Sequence, residues 1–270
     1  MIPFSDTHAH LDFEDFNSDR KDVIDRARAN GLQFILNISI DLTSLRNSLA
    51  LARENPGYVF VAAGIHPNYS ANFDQTVFGE LKMLATETQV VAIGEIGLDF
   101  YRDHATPQQQ RRALETQLAL SEQLGLPIVV HERSSAHELV PVLTGWHKNL
   151  SPVSPLKRAP GVMHAYSGGA GYVEALLECG FCFGIGGPVT YKNAADKRSL
   201  VEILPLKNML LETDCPFLPP HSHRGKRNEP AFIPLIAEKI AEIRALPIEM
   251  VGDQLTRNAI ALFGLDGKIK

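Results

Sequence analysis

The sequence predicts a TIM-type (β/α)8 barrel followed by C-terminal helices, on the strength of three observations. Short apolar runs alternate with amphipathic segments along the chain, and there are eight such runs. The runs are almost continuously apolar, as expected of parallel strands that are buried on both faces. The length of 270 residues also suits one barrel domain. We therefore expect a single domain that spans residues 1–270.

The predicted elements follow one another as strand and helix. The first strand carries Ser5–His10, and later strands are expected at residues 34–40, 58–64, 90–94, 128–130, 161–163, 181–185 and 209–212. Helices are expected at residues 43–54, 73–86, 106–124, 135–146, 170–178 and 197–204, with terminal helices near 231–244 and 248–263. Apolar residues at helical spacing predict these helices.

The helix predicted at 106–124 has clear signals at both ends. Thr106 suits the N-cap, Pro107 suits the first turn, and Gly125 ends the helix. The segment 147–160 contains three prolines and three basic residues, which predicts a loop on the outside of the barrel.

Composition excludes several classes of protein. The net charge of −5 excludes a scaffold that is basic overall, although it permits a local basic patch. No apolar run approaches the ~20 residues of a membrane span, so we expect no membrane association. The chain reaches Asp6 and His8 without a secretory segment, and its three cysteines are Cys179, Cys182 and Cys215. Both features predict a cytoplasmic location.

His8 and His10 lie two residues apart in the first predicted strand. Residues i and i+2 of a strand point to the same face, so the two imidazoles are aimed at one point. Neutral imidazole is a common ligand of zinc-like cations, which predicts a metal site. A single histidine at a strand end has an alternative interpretation, as a hydrogen-bonded core residue.

Further groups with metal-binding chemistry close later strands: Glu95, His131, His164 and Asp214, with His66 after the third strand. The C-terminal ends of barrel strands meet at one face. Five histidines and two acids in matching places favour a metal centre over unrelated core histidines. Without His66, four imidazoles and two carboxylates remain, which is too many donors for one tetrahedral cation, so we expect two. The remaining histidines are expected at the surface: His104, His137, His147, His221 and His223.

Seven stretches of the chain form a more specific pattern. In chain order they are Asp6–Leu11, Gly64–Pro67, Gly94–Asp99, His131–Arg133, His164–Gly168, Leu211–Asp214 and Arg227–Pro230. These stretches resemble, in the same order, those of the TatD-type metal-dependent deoxyribonucleases, a branch of the amidohydrolase barrels. Two departures are Ala165-Tyr166, where the family often has Cys-Phe, and Glu132, where it often has Ser or Cys.

The resemblance implies two metal ions, one held by His8, His10 and Asp214, the other by His131 and His164, with Glu95 as the bridge. Asp214 and Glu95 would be the catalytic residues, with Asp214 accepting a proton from the attacking water. The family is described as magnesium-dependent, whereas mixed imidazole and carboxylate donors also suit zinc or manganese. We therefore expect two divalent ions, Mg, Mn or Zn.

The resemblance also implies a substrate. The activity would be hydrolysis of phosphodiester bonds in DNA, by 3′–5′ exonuclease action on single-stranded ends. Arg133 and Arg227 suit phosphate recognition, because guanidinium groups bind phosphate bidentately. His66 is assigned to the same substrate-binding site. No obligate protein partner is expected.

Two alternatives remain open. The same metals would also serve a small-molecule hydrolase that cleaves an amide, a lactone or a phosphoester. A non-catalytic binding module that keeps the fold is the second alternative, which the complete donor set disfavours. A comparison of oligonucleotides with cyclic amides and lactones as substrates separates these interpretations.

Overall fold

The structure is a computed structural model that describes residues 2–270. Its strands are β1 (Phe4–Ala9), β2 (Leu32–Ile38), β3 (Val59–Ala63), β4 (Val90–Asp99), β5 (Ile128–Arg133), β6 (Gly161–Met163), β7 (Cys182–Ile185) and β8 (Met209–Leu211). Its helices are α1 (Arg20–Ala29), α2 (Leu42–Glu54), α3 (Gln75–Leu84), α4 (Pro107–Leu124), α5 (Ala136–Asn149), α6 (Val173–Glu178), α7 (Ala195–Ile203), α8 (Ile233–Arg244) and α9 (Ile248–Phe263).

The eight strands form one sheet in the order β1 to β8. Pairing is parallel between β1 and β2 and along the run from β3 to β7. Parallel strands that alternate with helices in this order have the topology of a TIM-type (β/α)8 barrel. The predicted fold class is therefore confirmed. Among residues 2–270, no helix combines the length and the apolar character that crossing a bilayer requires.

The chain divides into two compact units, the first made of the residues up to Asn37, Leu51–Phe60 and Gly184–Lys270. In this unit β1 is buried along its whole length, and α9 packs against β1 and β8. Thr256 of α9 donates to the Pro3 carbonyl at 3.2 Å, and Asn258 donates to the Met209 carbonyl at 3.0 Å. The last helix therefore fixes β1 and β8 from one side.

The chain that follows β8 runs beside the end of β1. Ala9 and Cys215 form a parallel bridge. The Asp214 N–H donates to the His8 carbonyl at 2.8 Å, and the His10 N–H donates to the Cys215 carbonyl at 2.9 Å. These backbone bonds bring Asp214 next to His8, in β1, and His10, just after it.

The second unit is made of Ile38–Ala50 and Val61–Phe183. Two buried glutamines attach α4 to its strands. Gln117 accepts from the Ile65 N–H at 2.8 Å and donates to the Ile65 carbonyl at 3.1 Å. Gln110 does the same to the backbone of Asp99, at 2.8 and 2.9 Å. Each amide thus satisfies one buried donor and one buried acceptor.

Helix α4 has the ends that the sequence predicts, whereas two other segments differ from the prediction. Thr106 and Gln109 form a reciprocal capping box at the start of α4, and Gly125 ends it with a φ of 66°. The loop expected at 147–160 is wrong in part, because α5 continues to Asn149 and Pro155–Lys157 forms a 3-10 turn. The helix expected at 170–178 is a 3-10 turn followed by the short α6.

Two further features differ from the sequence prediction. Helix α1 was not predicted, because it buries only Val23, Ile24 and Ala27 and so has a narrow apolar stripe. Strand β4 continues to Asp99, so Glu95 lies inside the strand rather than after it. The single domain over residues 1–270 stays a prediction.

A glycine in β7 should be intolerant of substitution. A Cβ at Gly184 would overlap the buried carboxylate of Glu212, whereas a Cβ at Gly79, in α3, meets nothing within 4 Å. We expect Gly184→Ala to lower the free energy of unfolding by about 1–3 kcal/mol through overpacking. Gly79→Ala, the control, should raise it by about 0.5–1 kcal/mol through helix propensity. Urea denaturation measures both, and equal stability of the two variants would contradict the packing described for β7.

Candidate metal centre

The first cluster consists of His8, His10 and Asp214, which lie on or just after β1 and β8. His8 Nε2 lies 3.2 Å from His10 Nε2, and Asp214 Oδ1 lies 3.4 Å from His10 Nε2 and 3.8 Å from His8 Nε2. Both imidazoles are buried, and the carboxylate is partly exposed. The first unit therefore brings together three of the donors predicted from the sequence.

These separations are those that a metal ion requires. Around a tetrahedral ion with bonds of about 2.0–2.1 Å, neighbouring donor atoms lie roughly 3.3–3.4 Å apart. The three separations in the first cluster, 3.2, 3.4 and 3.8 Å, bracket that value. Imidazole and carboxylate are also donors that zinc and manganese accept. The first cluster fits a divalent ion in both geometry and chemistry.

A buried carboxylate, Asp6, holds the first cluster in place. Its Oδ1 accepts from the backbone N–H groups of His8, at 3.2 Å, and Thr213, at 3.0 Å. Its Oδ2 accepts from the Thr213 hydroxyl, Oγ1, at 2.6 Å. Burial raises the pKa of Asp6 to about 7, although these hydrogen bonds oppose the rise. Asp6 therefore ties β1 to the residue before Asp214. This role of Asp6 was not predicted, although an acid in a buried strand indicates a structural or functional role.

The second cluster consists of His66, Glu95 and His131, carried by β4, β5 and the segment after β3. His131 Nδ1 lies 2.8 Å from Glu95 Oε1, and His66 Nε2 lies 3.9 Å from the same oxygen. The two imidazole centroids are 4.4 Å apart. His164 is buried immediately after β6, where its backbone N–H donates to the Val130 carbonyl at 2.9 Å. Like the first, this cluster offers imidazole and carboxylate donors suited to a divalent ion.

Asp99 lies against the side of His131 that faces away from Glu95. Its Oδ2 is 3.2 Å from His131 Nε2, and its Oδ1 accepts from the N–H groups of Tyr101 and Arg102 at 3.0 Å each. Burial opposes ionisation of Asp99, but the hydrogen bonds from His131 and Arg102 outweigh it and lower the pKa. Sequence analysis included Asp99 in a matching stretch but gave it no role.

His131 is consequently held between two carboxylates. Burial alone would lower the pKa of its imidazole, but the hydrogen bonds to Asp99 and Glu95 outweigh burial and raise that pKa to about 9. In the absence of metal the ring is therefore an imidazolium at neutral pH. A metal ion that binds to this ring must displace a proton.

The two arginines predicted to bind substrate have different surroundings. The Arg133 guanidinium lies 3.9 Å above the centre of the exposed Tyr101 ring. Arg227 instead forms a two-pronged ion pair with Asp19, at 2.8 and 2.7 Å, and lies over the Phe16 ring at 4.5 Å. Its guanidinium already has a carboxylate partner. Substrate binding by either arginine stays a prediction.

An aromatic patch that sequence analysis did not identify adjoins the first cluster. Phe13 stacks on His10 with ring centroids 4.8 Å apart, and Phe217 lies 6.1 Å from Phe13 and 6.4 Å from His10. Phe217 is 51% exposed. An apolar ring is thus presented to solvent beside the candidate ligands.

The environment of His131 should be visible in solution. In metal-free protein we expect its imidazole to titrate near pH 9, so the ring is charged below that pH and neutral above it. Asp99→Asn removes one of the two carboxylates and should lower this midpoint by roughly 1 pH unit or more. Histidine NMR titration measures both values. Asp103→Asn, a change at an exposed acid nearby, is the control. A midpoint near 6.5 in the unmodified protein would contradict the described contacts.

The chain is similar to known proteins over nearly its whole length. A family model described as TatD related DNase matches residues 5–264. The "Uncharacterized metal-dependent hydrolase YabD" of Bacillus subtilis (strain 168) is 33% identical over 261 residues, which cover 97% of this chain and 99% of that protein. The "3'-5' ssDNA/RNA exonuclease TatD" of Erwinia amylovora is 34% identical over 265 residues, covering 96% of this chain and 99% of that protein.

A solved structure agrees with the sequence relatives. The crystal structure of YjjV, a TatD homologue from Escherichia coli K12, superimposes with a TM-score of 0.88 and 30% sequence identity. The match covers 97% of this chain and 98% of that one. Fold and sequence therefore point to the same family.

Proposed function

Because the chain belongs to the family of TatD-related DNases and is a metal-dependent hydrolase, we propose that it hydrolyses phosphodiester bonds of single-stranded DNA from the 3′ end. The observation that carries this proposal is the donor geometry of the first cluster, where two imidazoles and a carboxylate lie 3.2–3.8 Å apart. The relatives named as 3'-5' ssDNA/RNA exonucleases support the choice of substrate and polarity.

We assign the donors to two divalent ions, which the resemblance to the family supports. His8, His10 and Asp214 would hold one ion, His131 and His164 the other, and Glu95 both. Bound divalent ions supply an activated water and neutralise charge on the phosphate. Magnesium, manganese and zinc are all compatible with these donors.

The residues of the chain then have separate tasks. Asp214, the partly exposed member of the first cluster, accepts the proton of the attacking water. Arg133 binds a phosphate oxygen, because a guanidinium group matches the geometry of phosphate. Its contact with the Tyr101 ring limits the rotamers that this side chain can adopt. His66 donates a hydrogen bond to the same group. Arg227 reaches substrate only if it leaves Asp19, so we give it the smaller share of binding.

An unpaired strand also presents base faces. Phe217, which is exposed beside His10, offers a surface on which a terminal base stacks. Tyr101 offers a second exposed ring, close to Arg133. Stacking of this kind requires unpaired bases and so favours single strands over duplex.

Removal of either proposed catalytic carboxylate should abolish activity without unfolding the protein. We expect Glu95→Gln and Asp214→Asn to reduce DNA hydrolysis by more than about 100-fold, the upper end of losses seen for residues behind a metal ligand. Circular dichroism melts should remain cooperative. Glu122→Gln, on α4, is the matched control and should keep full activity. Unreduced hydrolysis by Glu95→Gln would refute the shared-ligand role.

Metal removal and substrate choice give a second test. We expect chelation to stop degradation of 5′-labelled single-stranded DNA, and added Mg²⁺, Mn²⁺ or Zn²⁺ to restore it. The products should shorten progressively from the 3′ end, and a blocked 3′ terminus should resist. Cyclic amides and lactones serve as alternative substrates in the same assay. Rapid turnover of a lactone together with inertness on DNA would replace the proposal with the small-molecule hydrolase.

A further inference from the structure

Asn68, in the 3-10 turn Pro67–Asn72 that follows β3, reaches both histidines of the second cluster. Its backbone N–H donates to His66 Nδ1 at 3.1 Å. Its side-chain Nδ2 donates to Asp99 Oδ2 at 3.1 Å, and the same oxygen lies 3.2 Å from His131 Nε2. One short turn is therefore connected to two neighbouring imidazoles, directly to one and through Asp99 to the other.

The contact to His66 fixes where its hydrogen resides. A backbone N–H only donates, so His66 Nδ1 must accept with its lone pair. The neutral ring then carries its hydrogen on Nε2, which is the nitrogen that faces Glu95 Oε1 at 3.9 Å. A nitrogen that bears a hydrogen has no lone pair to give to a metal. Distance alone makes His66 a candidate ligand in the second cluster, but hydrogen bonding argues against it.

His131 differs from His66, because each of its two nitrogens faces a carboxylate. Asp99 Oδ1 accepts two backbone N–H groups, from Tyr101 and Arg102, which sets the orientation of the carboxylate. Its Oδ2 accepts from His131 Nε2 at 3.2 Å, while Nδ1 lies 2.8 Å from Glu95 Oε1, so both nitrogens bear hydrogen in the metal-free imidazolium. A metal ion that binds beside Glu95 would replace the hydrogen on Nδ1, and the hydrogen on Nε2 would stay with Asp99. Nδ1 is therefore the atom of His131 that would bind the metal ion.

We propose that Asn68 and Asp99 are positioning residues that hold both imidazoles in the Nε2–H tautomer, so that only His131 serves as a metal ligand. The two rings turn opposite nitrogens toward Glu95, and the same tautomer therefore has opposite consequences. His131 would give Nδ1 to a metal ion beside the carboxylate, with the hydrogen on Nε2 held by Asp99. His66 presents an N–H, which is a donor for a phosphoryl oxygen of the substrate. The assignment of that acceptor rests on the proposed function, whereas the assignment of the metal ligand does not.

The direct test is long-range ¹H–¹⁵N NMR of the full chain loaded with zinc, which is diamagnetic. We expect hydrogen on Nε2 of both rings, zinc-shifted resonance only at His131 Nδ1, and an unmetallated acceptor at His66 Nδ1. Hydrogen on His66 Nδ1 with zinc on its Nε2 would overturn the proposal. This NMR measurement needs no substitution and no nucleic acid.

Substitutions distinguish the role of the His66 imidazole from that of the His131 imidazole. Asp99→Asn should weaken zinc binding, measured by competition with a chelator, by about 10–100-fold. Asn68→Ala, which keeps the backbone N–H, should weaken it less and leave the His66 tautomer unchanged. His66→Ala should keep the zinc content and affinity of the unmodified protein. Loss of a zinc equivalent in His66→Ala, or unchanged zinc affinity in both Asp99→Asn and Asn68→Ala, would contradict the proposal.

Kinetics complete the test, with Asn72→Ala, at an exposed position of the same turn, as the matched control. On single-stranded DNA, His66→Ala should lower kcat/KM at full metal content, and His66→Gln, whose amide N–H sits near the position of Nε2, should restore part of it. No change in kcat/KM for His66→Ala would overturn the substrate contact. If the unmodified protein does not cleave DNA, the proposed function fails, while the NMR and zinc results still decide the ligand assignment.

Discussion

The hydrogen bonds that Asp6 makes to His8 and Thr213 are the constraint on which the first cluster depends. A metal ion requires the two imidazoles and the carboxylate to face one point, and the backbone has to hold them there. Asp6 does so by joining β1, which carries His8 and ends just before His10, to the segment that carries Asp214. A fixed arrangement of donors lets a metal bind without a large cost in ordering side chains.

The second cluster uses a similar principle with different groups. Asp99 accepts hydrogen bonds from the Tyr101 backbone, the Asn68 side-chain amide and the His131 imidazole. These bonds fix one edge of the His131 ring. The other edge is left beside Glu95. In both clusters the residues behind the candidate ligands are acids that the metal itself need not touch, and such partners tune affinity and orientation.

Much of the fold is predictable from local sequence because strands such as β3 and β8 are apolar runs and α4 carries its own end signals at Thr106 and Gly125. The candidate ligands were found for the same reason, since strand ends of a barrel share one face. Asp6 and Asp99 were not assigned because their roles depend on partners distant in sequence, Thr213 and His131. The left-handed backbone of Asp214, with a φ of 58°, was not predicted either.

Anomalous diffraction from crystals soaked in zinc or manganese tests the central claim most directly, because it reports the position and the element of any bound ion together. The account predicts a peak bonded to His8, His10 and Asp214 at about 2.0–2.2 Å, and a second bonded to His131, His164 and Glu95. Saturating soaks that leave no anomalous peak within bonding distance of the first cluster would contradict it.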